Sequence, residues 1–277
     1  MGLCTVKFHV SSSSFLTRPS QPTIPDFAVS ENFCIFASMK KDIVTLLVLL
    51  LFSVLPFGAL HTCAQQAEQS LPAQRQPRMA VIGDSYVRNH REPVENTWHY
   101  KLARKYGMEY LNYGRNGGCV SIDRQRFGPA LWKRWREMAD SLDLIVIIAG
   151  HNDAVLLDSM GIDVYRQRLG EVCQGLIDRY PAAHIVWFTP WNNDDAHFLQ
   201  VVDATIDVCG QWGIPVFDAY RKSNIFARND RFRAIYFQGG GKNDHAHLNA
   251  RGHDRFLPVA EHFLLPYLPS PCKTSQH

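Results

Sequence analysis

Between residues 78 and 268, short apolar runs alternate with stretches whose apolar residues recur at helical spacing. The runs at 79–82, 109–113, 142–149, 184–189 and 214–217 predict strands. The stretches at 95–106, 129–141, 164–180, 195–212 and 252–265 predict amphipathic helices. Within the third run, Leu144, Ile145, Val146, Ile147 and Ile148 are apolar without a break, as expected of a central parallel strand covered on both faces. Regular alternation of strand and helix predicts right-handed βαβ units, hence an α/β domain with one parallel sheet between helices. Nothing repeats at a fixed period and no second compositional regime appears, so 78–268 reads as one domain followed by a tail at 269–277.

The first 77 residues break this pattern. From Met39 a basic start (Lys40, Lys41), an apolar centre from Ile43 to Leu55 and small residues up to Ala64 have the layout of a bacterial secretory signal over 39–64. The apolar centre falls short of the roughly 20 residues that span a bilayer, so a retained anchor is the weaker alternative. A signal that begins at an internal Met makes 1–38, with its run Ser11 to Ser14, read as a gene-model extension. Residues 65–77, rich in Gln, Ala and Pro, read as a linker. The expectation is a secreted or periplasmic protein with no membrane span in its mature form.

Composition narrows the function classes. A formal net charge of +3 with no long basic run gives no footprint for nucleic acid. None of the seven Cys forms a Cys-x-x-Cys pair, so no zinc spacing is present. Cys119, Cys173, Cys209 and Cys272 follow the signal and are free to pair in three ways in an oxidising compartment, or to stay as buried thiols.

The candidate chemistry lies where the strands end. The first run leads into Gly83-Asp84-Ser85, the second into Asn112-Tyr113-Gly114-Arg115-Asn116-Gly117-Gly118, and the third into Gly150-His151-Asn152-Asp153. After the fifth, a long loop reaches Asp244-His245-Ala246-His247 just before the last helix. Ligands bind an open α/β sheet at the carboxyl ends of its strands, so these segments can meet in one crevice. A serine hydroxyl needs a base to become a nucleophile, usually a His oriented by a carboxylate. His247 with Asp244 supplies both from one turn. Gly117, the Asn152 amide and the Ser85 N–H supply three donors for an oxyanion. Asp153 reads as a cap of the next segment, and Cys119 as a small core residue. A second reading makes His245, His247, His253 and Asp244 metal ligands, but it leaves Ser85 and Asn152 without a role.

In order and placement, Gly83-Asp84-Ser85, Asn112-x-Gly114-x-x-Gly117, Gly150-x-Asn152-Asp153 and Asp244-x-x-His247 resemble the four blocks of the SGNH (GDSL) hydrolase family, over about 78–268. The resemblance implies a three-layer α/β/α flavodoxin-like fold with a five-stranded parallel sheet in the order 2-1-3-4-5. It implies Ser85 as nucleophile, His247 as base and Asp244 as its orienter. It also implies an oxyanion hole of Ser85, Gly117 and Asn152, with no metal or cofactor. Leu248 stands where the family often has Pro, and Gly118 where an Asp is common. Neither position carries the chemistry.

The implied activity is hydrolysis of an ester. Family members act on lipids, aryl esters and acetylated sugars. Around the strand ends, Asn89, His90, Trp191 and Asn192 mix rings with polar groups, which suits a sugar. The 220–243 loop adds Arg221, Lys222, Arg228, Arg231, Arg233 and Lys242, which suit an acidic group on the substrate. No loop has the long apolar run of an acyl groove. The expectation is removal of small acyl groups, acetyl first, from carbohydrate. The alternatives are a lipase-like or lysophospholipase-like esterase and a non-catalytic binding protein on the same fold.

Overall fold

The computed structural model describes residues 75–193 and 195–270. The extension over 1–38, the signal over 39–64, most of the linker and of the tail, and Cys272 lie outside the described residues.

Five parallel strands, β1 (Arg78–Gly83), β2 (Glu109–Gly114), β3 (Leu144–Ile148), β4 (His184–Phe188) and β5 (Val216–Phe217), form one sheet in the order β2-β1-β3-β4-β5. The order reverses between β1 and β3, and the crevice above that switch point is where such sheets bind ligands. Alternation along the strands divides the core in two. Ala80, Ile82, Ile145, Ile147, Ile185 and Trp187 face one layer of helices, while Met79, Val81, Leu144, Val146, Val186 and Phe188 face the other. A side-chain period of two makes this division automatic once both faces are covered. The first layer is built from α6 (Ile162–Arg179) and α7 (Ala196–Gln211), through Leu169, Val172, Leu176, Val201 and Val208. The second is built from α2 (Trp98–Lys105) and α10 (Ala250–Leu264), through Trp98, Leu102, Phe256 and Ala260. The fold is therefore the three-layer α/β/α arrangement with the expected strand order.

Several elements differ from their sequence reading. The helix over 95–106 divides at Thr97, whose side chain accepts from the Tyr100 amide and starts α2 afresh. The stretch over 129–141 gives only α3 (Leu131–Arg134) and a 3-10 turn, which ends where Met138 turns extended, and Arg134 points inward. Its guanidinium donates to the Gly83 and Tyr113 carbonyls and ties the ends of β1 and β2 together. The expected loop over 220–243 contains α9 (Asp230–Tyr236), capped by Asn229, and a 3-10 turn at Gln238–Gly241. Asp153 is no cap. Its buried carboxylate accepts the Val120 and Ser121 amides and the Ser121 hydroxyl, which anchors the loop after β2. Cys119 is buried, and Cys173 and Cys209, buried between α6 and α7, are free thiols with sulfurs 4.0 Å apart.

Gly83 is the tightest point of the sheet. A Cβ there would lie 1.9 Å from the Ile148 carbonyl oxygen and 2.9 Å from a Val87 methyl. Gly83→Ala is expected to cost about 3 kcal/mol or more, a fall of roughly 10 °C in Tm for a domain of this size. A melting curve within 2 °C of wild type would count against that packing.

Candidate active site

Asp84 accepts the Tyr86 amide at 2.9 Å and so caps the single-turn helix α1 (Ser85–Arg88), which lifts Ser85 to the rim of the switch-point crevice. Burial raises the Asp84 carboxyl to about 7, against the opposing pull of the Tyr86 amide and of His247. One of its oxygens has no hydrogen-bond partner.

Asp244 and His247 form a unit within one turn. Asp244 Oδ1 accepts the Ala246 and His247 amides at 3.0 and 2.9 Å, and its two oxygens lie 2.9 and 2.8 Å from His247 Nδ1. Burial alone would raise this carboxyl, but the hydrogen bond and charge of His247, with the two amides, bring it down to about 2. A carboxylate only accepts, so Nδ1 is the donor. Nε2 is left to accept from the Ser85 hydroxyl, 2.7 Å away. The turn is fixed from behind: Trp191 Nε1 donates to the Ala246 carbonyl at 2.8 Å, and the Gln238 amide to that of His247 at 2.9 Å.

Asn152 sits in α4 (His151–Val155), entered through Gly150 with φ of 116°. One N–H of its side chain donates to the Gly118 carbonyl at 3.0 Å, which draws the loop after β2 towards Ser85. In that loop Gly117 has φ of 69°, and a Cβ there would lie 2.7 Å from the Phe127 ring. Glycine meets both demands.

The residues read as substrate contacts divide. His90 lines a cleft of about 860 Å³ in front of His247, together with Arg91, Glu92, His151, Lys242 and His245. Asn192 lines a neighbouring hollow of about 680 Å³ with Tyr220, Arg221 and Arg228. Asn89 is buried beneath the cleft: its amide group donates to the Pro93 carbonyl, and its Oδ1 meets Gln238 and His253. Trp191 is buried as the prop of the Asp244–His247 turn. Both are structural contacts and neither reaches the cleft. Of the six cations in the 220–243 segment, only Lys242 lines the cleft. Arg221 is paired with Asp203 and Asp218, and Arg233 is buried.

The sequence did not single out the partners of Tyr86. Its hydroxyl lies 2.9 Å from His151 Nδ1, and its ring packs against Trp191 with centroids 5.1 Å apart. Burial lowers His151 to about 4, with the charge of His247 adding to the effect, so it is a neutral group beside the cleft.

The geometry does not favour the metal reading. His253 uses both ring nitrogens, on the Trp98 amide and on Asn89. His90, Asp244 and His247 offer ligand atoms within 4.8 Å of one another. The two imidazoles, however, are stacked with 7° between their planes. Ring lone pairs lie in the ring plane, so stacked rings point theirs side by side and not at one ion. Among the described residues no helix is long and apolar enough to cross a membrane.

Comparison with known proteins agrees with this fold. The structure is similar to a Lactobacillus plantarum protein, at 17% identity and TM-score 0.60, covering 71% of this chain and 100% of that one. It is similar to a candidate GDSL-like lipase of Bacteroides uniformis, at 20% identity and TM-score 0.54, covering 72% and 100%. It is also similar to Est24, a carbohydrate acetylesterase of Sinorhizobium meliloti, at 16% identity and TM-score 0.53, covering 69% and 100%. At these identities the likeness is one of fold. A search of curated proteins finds no match. Residues 81–255, from the strand that leads to Ser85 to the helix that follows His247, match the GDSL-like lipase/acylhydrolase family, and the chain belongs to that family.

Proposed function

We propose that this hydrolase is an exported serine esterase that removes short acyl groups, acetyl first, from carbohydrate. The observation that carries the proposal is the unbroken hydrogen-bonded line Asp244–His247–Ser85, of which Asp244 and His247 line a wide cleft rich in polar side chains.

In this mechanism the Ser85 Oγ attacks the ester carbonyl while His247 Nε2 takes its proton, and Asp244 stabilises the imidazolium. The carbonyl oxygen becomes an oxyanion facing the Ser85 and Gly117 amides and the second N–H of Asn152, the one not committed to Gly118. Collapse breaks the bond to the alcohol oxygen, which takes the proton from His247. Water, activated by the same imidazole, then attacks the acyl-serine and releases the acid and Ser85.

Two features support a short acyl group on a polar alcohol. The space directly behind Ser85 and His247 measures only about 10 Å³ and is closed by Tyr86, Trp98, Ile148 and Trp191. That is about the room of one water molecule, so a long chain finds no tunnel there. The cleft in front offers hydrogen-bonding groups of both kinds. Arg91 and Lys242 stand against Glu92, Asp195 and Asp244, a balance that favours a neutral sugar over an acidic one. Likeness to Est24 extends to the fold, so the choice of a sugar ester rests on the cleft itself. Export rests on the 39–64 signal, which lies outside the described residues.

The test is a chain-length series of chromogenic esters run beside acetylated glycans, with Ser85→Ala as the blank. Rates are expected to fall from acetyl to octanoyl, with acetate released from glycan. A rate that climbs with chain length, with no acetate released, would make the enzyme lipase-like. Wild type no faster than Ser85→Ala on every ester would make it a binding protein.

A further inference from the structure

His90 lines the cleft, but its ring does not stand free in it. It lies flat against His247, with centroids 4.1 Å apart and planes 7° from parallel. His247 is otherwise gripped at its edge, by Asp244 on Nδ1 and by Ser85 on Nε2, and it meets the Tyr86 ring at 76° across 6.1 Å. Bonds at the two nitrogens fix the line between them but leave the ring able to roll about that line. A flat partner removes this remaining freedom.

The backbone that presents His90 is held in an uncommon form. Asn89 and His90 have φ of 65° and 48°, two successive left-handed residues, neither of them glycine. Such outliers persist only where their surroundings hold them. Here the His90 amide donates to the Ser85 carbonyl at 3.2 Å, and the Asn116 side chain donates to the His90 carbonyl at 3.2 Å. Buried Asn89 is tied to Pro93, Gln238 and His253. The same segment that carries the Ser85 backbone therefore fixes the plate beneath the His247 ring.

We infer that His90 is a positioning residue: it sets the roll of the His247 imidazole so that Nε2 stays aimed at the Ser85 hydroxyl. The inference rests on the esterase reading above and replaces a substrate-contact role for His90. The electrostatics agree with it. Burial lowers the His90 imidazole from its ordinary value, and the charges of His247 and Arg91 push the same way, against Asp244. His90 is thus a neutral aromatic face when His247 takes the serine proton. Such a face attracts the imidazolium that forms, whereas a charged one would repel it.

The test compares His90→Ala, which removes the plate, with His90→Phe, which keeps a flat ring and removes the nitrogens. On an acetyl ester, His90→Ala is expected to lower kcat by about 10- to 100-fold with KM within twofold of wild type. His90→Phe is expected to recover most of that loss. A second readout needs no turnover: the His247 ring-proton resonance should lose its stacking shift in His90→Ala and retain it in His90→Phe. Unchanged kcat in His90→Ala, a rise confined to KM, or no recovery in His90→Phe would overturn the inference. If wild type hydrolyses no ester, the esterase reading fails by itself. An unchanged resonance in His90→Ala would then overturn the positioning role separately.

Discussion

Exchange of His247 for alanine is expected to lower kcat on an acetyl ester by about 10⁶-fold, to the level left when a whole triad is removed. The size follows from the geometry. Among the described residues, His247 Nε2 is the base bonded to the Ser85 hydroxyl, at 2.7 Å, and in the proposed mechanism the same nitrogen later protonates the leaving alcohol. His151, beside the cleft, is bonded through Nδ1 to the Tyr86 hydroxyl and not to Ser85. Asp244→Asn is expected to cost less, about 10⁴-fold. An amide oxygen still accepts the Ala246 and His247 amides, so the turn survives. Its NH₂ then faces His247 Nδ1, which moves the ring proton to Nε2, where it points at the serine. Burst kinetics and turnover, with melting curves to show that the variants fold, check both. A His247→Ala enzyme within tenfold of wild type would remove the triad from the mechanism.

Acid should destabilise the protein before it protonates the Asp244 carboxylate. His99 is fully buried and held neutral, its imidazole lowered by burial to about 3. His253 is lowered well below its usual range by burial, with His99 and Lys101 nearby, and His151 is at about 4. For each, the unfolded chain binds a proton below about 6.5 that the folded chain does not, so stability falls as pH drops through that value. His99 alone loses about 2 kcal/mol between pH 7 and pH 5. Asp84 acts in the opposite direction: its folded value of about 7 lies above the ordinary 3.8, so the folded chain holds the extra proton between those values. It returns about 2–3 kcal/mol over the same interval. Three imidazoles at about 2 kcal/mol each against Asp84 leave a loss of about 3–4 kcal/mol, from which Asp153, also raised by burial, takes back a share, so Tm is expected to fall by roughly 5–10 °C. Asp84→Asn removes one of the two compensating carboxyls, so its loss between pH 7 and pH 5 should be the larger. A Tm that holds steady or rises from pH 7 to pH 5 would contradict this balance.

The parts of the molecule that could be read from the sequence are those encoded locally. The unbroken apolar run at 144–148 could only be a covered strand, and the three-residue spacing of Asp244 and His247 suits one turn. The Asn229 cap of α9 was equally local, yet 220–243 was read as one loop. The helix over 129–141 was overextended, and nothing in the sequence announces that Arg134 turns inward. It does so to meet carbonyls at Gly83 and Tyr113, 51 and 21 residues away. The stack of His90 on His247 depends on two left-handed residues and on a partner from the far end of the domain. For the same reason Asn89 and Trp191 looked like cleft residues although they are buried struts.

The hydrogen bond that couples Ser85 to His247 joins residues 162 positions apart, one just after the first strand and the other just before the last helix. A ribosome must therefore release nearly the whole domain before the two can meet, and long-range contacts of this kind are slow to form. On the proposed mechanism a growing chain carries its serine for most of its synthesis without a base to activate it. The nascent polypeptide would then be its own zymogen, silent until the final helix docks.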